Sequence, residues 1–140
     1  FMETLFDSHK SNPVLSKVYY PELYRTKAIE EDLSFFEKKF NTKRRGSITP
    51  KTKAYTSHIE EVAKTKPYLL SAQSYVRYLG DLSGGQAIKK VIAKTFQLEG
   101  NEGTAFYEFP AIQDHQAFKG IYRKALDELD LDETQKGELL

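Results

Sequence analysis

Residues 75–86, YVRYLGDLSGGQ, interrupt an otherwise helical chain with three glycines among residues 80–85. Each glycine inside a helix costs about 1 kcal/mol relative to alanine, so something must offset that cost. Bare glycines let another surface approach the helix backbone closely, and they let the helix bend where a ligand presses on it. The stretch therefore predicts a glycine-kinked helix with a surface that suits a flat ligand.

Apolar residues at helical spacing lie on both sides of this break, between charged and polar residues. For residues 29–40 the pattern predicts a helix packed on a core. Thr49 and Pro50 supply an N-cap followed by proline at the first helical position, which predicts a helix start. The glycines between Leu98 and Pro110 predict a loop. The apolar stripes are Ile29, Leu33, Phe36 and Phe40; Tyr55, Ile59 and Val62; Ile88, Val91, Ile92 and Phe96; and Phe118, Ile121, Tyr122, Ala125 and Leu129.

The whole pattern favours an all-α fold of about five or six irregularly packed helices, since no strand pattern or internal repeat interrupts it. With 140 residues, the chain suits one domain, residues 1–140. Phe1 to Phe6 read as the interior of a helix without a cap, and Asp132 opens a stretch of only about two turns. We therefore expect a single domain that is incomplete at both ends.

Composition excludes several classes of function. The net charge of +1 is too small to indicate that the overall electrostatic field binds nucleic acid, so any anion site must depend on a local group of charges. No cysteine is present, which removes disulfides, thiolate catalysis and cysteine-based metal sites. No apolar run approaches the roughly 20 residues of a membrane span, and nothing resembles a signal peptide. The basic run Lys43–Gly46 is interpreted as a solvated turn.

Several polar side chains favour a groove for a large aromatic anion. Asp81, among the glycines, is placed to reach a bound molecule or to hold a water against it. Lys119 and Arg123 lie four residues apart on one helix face, and such cations bind carboxylates well. Tyr55 and Tyr75 add hydroxyl groups. Three plainer interpretations stay open: a helix C-cap or turn at the glycines, a solvated face for the cations, and core-edge aromatics.

A competing motif occupies the same place. Leu82-Ser83-Gly84-Gly85-Gln86 matches the signature peptide of ABC-type ATPases, which opens a helix toward a nucleotide phosphate. That family also needs a strand-linked G-x-x-x-x-G-K-[ST] loop and alternating strands, and this sequence has neither. The nucleotide-binding interpretation is therefore set aside.

Residues 75–86 resemble the distal-helix signature of biliverdin-forming heme oxygenases, and the likeness covers essentially the whole chain. Its compact segments look most like cyanobacterial or algal plastid members. The other matching segments are Tyr19–Leu23, Glu31–Leu33, Gly103–Phe109, Phe118-Lys119 and Tyr122-Arg123. The resemblance implies an all-α heme oxygenase-like domain with a glycine-kinked distal helix.

The resemblance also implies a catalytic set. Asp81 matches the distal carboxylate that holds a water network on the oxygen-binding side of heme. Gly80 and Gly84 match the glycines whose backbone lies against the heme face, and Arg77 and Tyr55 match the hydrogen-bonded network behind the water.

A heme-binding set follows from the same resemblance. Tyr75, Lys119 and Arg123 match groups that contact the heme propionates and so orient the ring. Ser83 and Gly85 belong to the same signature and complete the set.

The implied reaction is oxidative cleavage of heme to biliverdin, carbon monoxide and ferrous iron. It uses dioxygen and electrons from a ferredoxin or an NADPH-dependent flavoprotein reductase, while heme is both cofactor and substrate. The resemblance implies a location in the cytoplasm or a plastid, with an ER-anchored form as the alternative. No partner nucleic acid is expected.

The axial histidine of the family lies upstream of the position that matches Phe1, so no metal ligand is assigned here. His9, His58 and His115 do not match that position and read as surface or helix-end residues. The segment alone is therefore expected to be inactive. The runner-up is a non-catalytic helical module that binds heme or a partner protein through the same groove.

Overall fold

A computed structural model describes residues 1–43 and 46–139, and these residues form helices and connecting turns without a strand. The all-α prediction is confirmed. Seven α-helices lie in the described ranges, and the two short terminal ones, α1 and α7, account for the excess over the expected five or six. The helices are α1 Met2–Ser8, α2 Thr26–Phe40, α3 Pro50–Thr65, α4 Leu70–Ser74, α5 Gly84–Phe96, α6 His115–Asp127 and α7 Glu133–Leu139.

Short 3₁₀ helices join these elements at Leu15–Val18, Pro21–Leu23, Pro67–Leu69 and Ala105–Tyr107. The last of them lies inside the predicted loop from Leu98 to Pro110. The predicted basic turn includes Arg44 and Arg45, which lie outside the described residues, as does Leu140. Within the described ranges, no helix is both long enough and apolar enough to cross a membrane.

Helix starts follow from local chemistry. Thr49 caps α3 as predicted, because its Oγ1 accepts a hydrogen bond from the backbone N–H of Thr52 at 3.1 Å. Asp114 caps α6 in the same way and accepts from the N–H groups of Gln116 and Ala117, each at 2.9 Å. Capping of this kind satisfies N–H groups that have no partner within the helix.

The core is centred beneath the break between α4 and α5. Leu82, at the break itself, is buried, and so are Tyr78 and Leu79 just before it. Tyr122 of α6 is fully buried, and its hydroxyl hydrogen-bonds the hydroxyl of Ser74 at 2.5 Å. The core therefore anchors α4 and α6 together next to the glycines.

The apolar stripe of α2 corrects one expectation, that this helix packs its stripe on a core. None of its residues is fully buried, and Ile29 and Leu33 keep 38% and 41% of their surface exposed. Helix α2 is held at its C-terminal end by an aromatic cluster in which Phe36 and Phe40 each lie 5.6 Å, centroid to centroid, from Phe96 of α5. Nearer the middle of the helix, Asp32 accepts hydrogen bonds from the backbone N–H groups of Ala105 and Phe106.

Candidate functional site

The helix that carries the glycines bends as predicted. Helix α4 continues through a π-helical segment, Tyr75–Leu79, as far as Asp81. The chain then turns at Leu82 and Ser83 before α5 begins at Gly84. Single π-helical turns inside α-helices occur frequently at functional sites. This kink sets the directions of the side chains on both sides of the break.

Two of the three glycines leave the helix backbone bare. Gly80 and Gly84 are exposed, and a Cβ atom added at either would meet no atom within 4 Å. Gly85 differs because it is buried, and a Cβ atom there would lie 3.1 Å from Cδ1 of Tyr107. The heme contact predicted for Gly85 stays a prediction, and a side chain at this position would point toward Tyr107. Close packing against Tyr107 is the physical reason for a glycine at this position.

Asp81 carries an acceptor that the fold leaves unused. Its Oδ2 is buried and has no hydrogen-bond partner in the described part of the chain. Burial raises the pKa of Asp81 above its ordinary value, and the charges of Arg77 and Arg25 oppose that rise. Since a buried acceptor without a partner costs about 1–3 kcal/mol, such a group points to a role other than stability.

Two residues of the predicted catalytic network line one cavity. Tyr55 of α3 and Arg77 of the π-helical segment border a cavity of about 250 Å³, together with Tyr78. The Tyr55 hydroxyl donates a hydrogen bond to Oε1 of Gln73 at 3.1 Å, which directs this half-exposed ring toward α4. The structure therefore brings Tyr55 and Arg77 together on one side of the helix that carries Asp81.

The predicted propionate contacts are distributed over two positions. Tyr75 and Arg123 line a larger, mainly apolar groove of about 660 Å³ between α4 and the α6–α7 region. Lys119, one helical turn before Arg123, instead donates from Nζ to Oγ of Ser83 at 3.3 Å, beside the break. Lys119 is thus paired with Ser83, whereas Tyr75 and Arg123 line a common groove.

The three histidines have other surroundings. His9 follows α1, and its Nδ1 lies 2.8 Å from the carbonyl oxygen of Leu5. His58 is exposed on α3. His115 opens α6, with its ring edge-to-face against Phe109 at 5.6 Å. Among the described residues, no group of three or more histidine, cysteine, aspartate or glutamate side chains is arranged to hold a metal ion.

Two residues that build the wall next to Asp81 carry no recognisable pattern in the sequence. Arg25 donates to backbone carbonyls of the segment 106–108, and Asp32 accepts from the N–H groups of Ala105 and Phe106. The partners of Asp32 lie 73 and 74 residues away along the chain, so no local spacing signals these contacts. Only the three-dimensional arrangement reveals them.

Comparisons with known proteins point to one family. The heme oxygenase family model matches residues 1–140. The chain is 43% identical to "Heme oxygenase 1" of Nostoc sp. over 133 residues, which is 95% of this chain and 56% of the relative. It is 44% identical to "Heme oxygenase 1" of Synechocystis sp. over 133 residues, 95% of this chain and 55% of the relative. The chain therefore spans about half the length of these relatives.

Solved structures of heme oxygenases superpose closely on the chain. The heme oxygenase of Leptospira interrogans superposes with a TM-score of 0.90 at 45% identity, over 99% of this chain and 67% of that one. Heme oxygenase-1 of Synechocystis sp., solved in complex with heme, superposes with a TM-score of 0.89 at 42% identity, over 99% and 62%. Sequence and fold thus lead to one conclusion: the chain belongs to the heme oxygenase family.

Proposed function

We propose that this chain belongs to a protein that cleaves heme oxidatively to biliverdin, with release of carbon monoxide and ferrous iron. The observation that carries the proposal is the pairing of a bare helix face at Gly80 and Gly84 with the unpartnered Oδ2 of Asp81. A backbone without side chains would let a flat ring pack against it, and an unpartnered buried acceptor next to the ring would be available to the reaction. The relative solved with heme supports the same ligand.

Heme would be held by its face and by its carboxylates. The backbone at Gly80 and Gly84 leaves space that only a ligand or a larger side chain would fill. Lys119 and Arg123 supply the positive charges, and Tyr75 supplies a hydroxyl in the groove that Arg123 also lines. Charge-assisted hydrogen bonds to two carboxylates would fix the rotation of the ring in its own plane. Ser83 would hold Lys119 in place.

Bound heme would supply the iron that activates dioxygen and the ring that is opened. The contribution of Asp81 would be a positioned acid–base group that orders a water at Oδ2 and passes a proton through it. Because burial raises the pKa of Asp81, its carboxylate is a stronger proton acceptor than that of an exposed aspartate. Arg77 and Tyr55, which share a cavity, would extend this network.

Electrons would come from a ferredoxin or an NADPH-dependent reductase, as the family resemblance implies. Relatives from cyanobacteria and from the alga Rhodella violacea support a location in the cytoplasm or a plastid.

The test is single-turnover formation of biliverdin by the full-length protein, with heme loading matched among variants. Asp81→Ala and Asp81→Asn should bind heme nearly as the parent does, yet form biliverdin about a hundredfold more slowly or worse. Asp130→Ala, which removes an exposed carboxylate, is the matched control and should behave as the parent.

Parent-like biliverdin formation by Asp81→Ala would remove Asp81 from the reaction. A parent protein that binds heme but never opens it would instead favour the runner-up, a non-catalytic heme-binding module.

A further inference from the structure

Arg25 is a buried cation whose donors are used by backbone carbonyls. It directly precedes α2, and only 7% of its surface is exposed. Its Nε donates to the carbonyl of Leu23 at 3.0 Å, and its Nη2 donates to that of Glu22 at 3.3 Å. Its carbon Cζ lies 3.9 Å from the centroid of the Phe109 ring. The guanidinium is therefore fixed in orientation on several sides.

The remaining nitrogen of that guanidinium reaches across the fold. Nη1 of Arg25 donates to the carbonyl of Phe106 at 3.4 Å and also to that of Glu108. These carbonyls belong to the Ala105–Tyr107 turn and to the residue that follows it. Arg25 thus ties the start of α2 to a segment about 80 residues later in the chain.

The same turn is held from two further directions. Asp32 of α2 accepts from the N–H groups of Ala105 and Phe106, both at 2.8 Å. Gln86 of α5 donates from Nε2 to the carbonyl of Tyr107 at 2.9 Å. A turn of three residues is therefore fastened by Arg25 just before α2, by Asp32 within α2 and by Gln86 of α5.

This turn forms the wall next to Asp81. A Cβ atom on Gly85 would lie 3.1 Å from Tyr107 and 3.7 Å from Cβ of Asp81, so only one residue separates the turn from the carboxyl group. Four groups interact electrostatically with Asp81: Arg77 and Tyr78 from its own helix, Tyr107 from the turn, and Arg25 from the start of α2.

We propose that Arg25 is a positioning residue for the Asp81 site, which holds the Ala105–Tyr107 turn as its wall and supplies a fixed positive charge behind the carboxyl group. The inference rests on the proposed function of Asp81. Arg25 lines the cavity that Tyr55 and Arg77 share, and it acts on Asp81 through the turn and through its field. Burial of Asp81 raises its pKa, and Arg25 is one of two cations that oppose the rise.

The experiment uses the full-length protein and separates geometry from charge with three variants. Arg25→Gln removes charge and most of the donors, Arg25→Lys keeps the charge with fewer donors, and Asp32→Asn weakens the other anchor of the turn. One readout is the pKa of Asp81 in the heme-free protein, from its infrared carboxyl band, which is assigned by its loss in Asp81→Asn. The other readout is single-turnover biliverdin formation at matched heme loading.

Arg25→Gln should raise the pKa of Asp81 and slow biliverdin formation about tenfold or more, because small displacements of a reacting group are costly. Asp32→Asn should slow the reaction without raising that pKa. Arg25→Lys should keep a parent-like pKa and recover part of the rate. Parent-like rate and pKa in Arg25→Gln overturn the proposal, and so does a slower reaction with an unchanged pKa, since Arg25 would then be structural only.

If Arg25→Gln does not fold, the proposal is tested by Arg25→Lys and Asp32→Asn. A slower reaction in both supports the proposal, and parent-like reaction in both overturns it. The infrared readout needs no heme, and failure of the proposed function would appear separately, as parent-like biliverdin formation by Asp81→Asn.

Discussion

Gly85 packs directly against Tyr107, so that a Cβ atom at Gly85 would lie 3.1 Å from Cδ1 of the tyrosine ring. That approach is tighter than about nine in ten Cβ contacts in proteins, so the neighbouring ring must give way. Gly80 and Gly84 face open space instead. The glycine cluster therefore combines two requirements, a bare outer face and a close inner contact, and the two can be separated by mutation.

Gly85→Ala should lower the free energy of unfolding of the heme-free, full-length protein by about 1–3 kcal/mol, the usual range for overpacking. The tyrosine ring, which is itself held by its backbone, must shift to admit the methyl group. Chemical denaturation measures the effect. Gly120→Ala in α6, where an added Cβ meets nothing within 4 Å, is the control and should gain up to about 1 kcal/mol. Equal stability of the two variants would contradict the packing role.

Gly80→Leu tests the outer face. Leucine favours helix and points into open space here, so the heme-free protein should be at least as stable as the parent. Heme affinity should fall tenfold or more, about 1.4 kcal/mol, because the side chain fills the space that the ring needs. Heme titration followed by absorbance gives the affinity, with Gly46→Leu, at an exposed position before α3, as the comparison variant. Unchanged affinity would mean that the ligand lies elsewhere.

The two cations of α6 should together fix the orientation of heme. Arg123 lines the groove with Tyr75, whereas Lys119 is tied to Ser83 beside the break. Replacing both with alanine in the full-length protein should weaken heme binding and give a mixture of biliverdin isomers, because the carboxylates lose their charge-assisted contacts. Chromatography of the product measures the isomers. Lys124→Ala, which removes an exposed cation from the same helix, should leave them unchanged. If the double variant gives a single isomer at parent affinity, the pair is only a solvated face.

The buried hydroxyl pair under the site makes a prediction about stability. Tyr122→Phe leaves the Ser74 hydroxyl buried without this partner and should cost about 1–3 kcal/mol of unfolding free energy. Ser74→Ala combined with Tyr122→Phe should cost less than the sum of the two single changes, since no orphaned hydroxyl remains. Denaturation of the four proteins gives the coupling energy. Strict additivity would show that the two hydroxyls do not depend on each other.

Local chemistry explains which features could be predicted from the sequence. Thr49 and Pro50 define a helix start because a cap needs only its neighbours within one turn. The bend at Gly80 to Gly85 follows from the propensity of the same residues. The apolar stripe of α2 was assigned correctly to one helix face, yet spacing alone does not tell what covers that face, and Leu33 proved exposed.

Long-range geometry explains what was missed. Neither Arg25 nor Asp32 shows a pattern that points to the turn at Ala105, because their partners are set by how distant segments meet. The same holds for Gly85 among the three glycines. Spacing grouped it with Gly80 and Gly84, whereas the side on which its backbone faces protein depends on where Tyr107 packs.

Asp81→Ala should stabilise the heme-free, full-length protein, and the gain should depend on pH. Burial raises the pKa of Asp81 in the folded state above the ordinary value of 3.8. A carboxyl group with a raised folded-state pKa favours folding when protonated, so its ionisation lowers the free energy of unfolding as pH rises from 3.8 through the raised pKa. Above that range the loss is constant. The alanine variant has no carboxyl group to ionise and no unpartnered acceptor. Its free energy of unfolding should therefore exceed that of the parent by about 1 kcal/mol at neutral pH, and this difference should shrink toward pH 3.8. Denaturant titrations across this range measure the difference, with Asp130→Ala as the exposed control. A gain that is equal at both ends of the range, or a loss at neutral pH, would show that the Asp81 carboxyl carries no burial penalty in the fold.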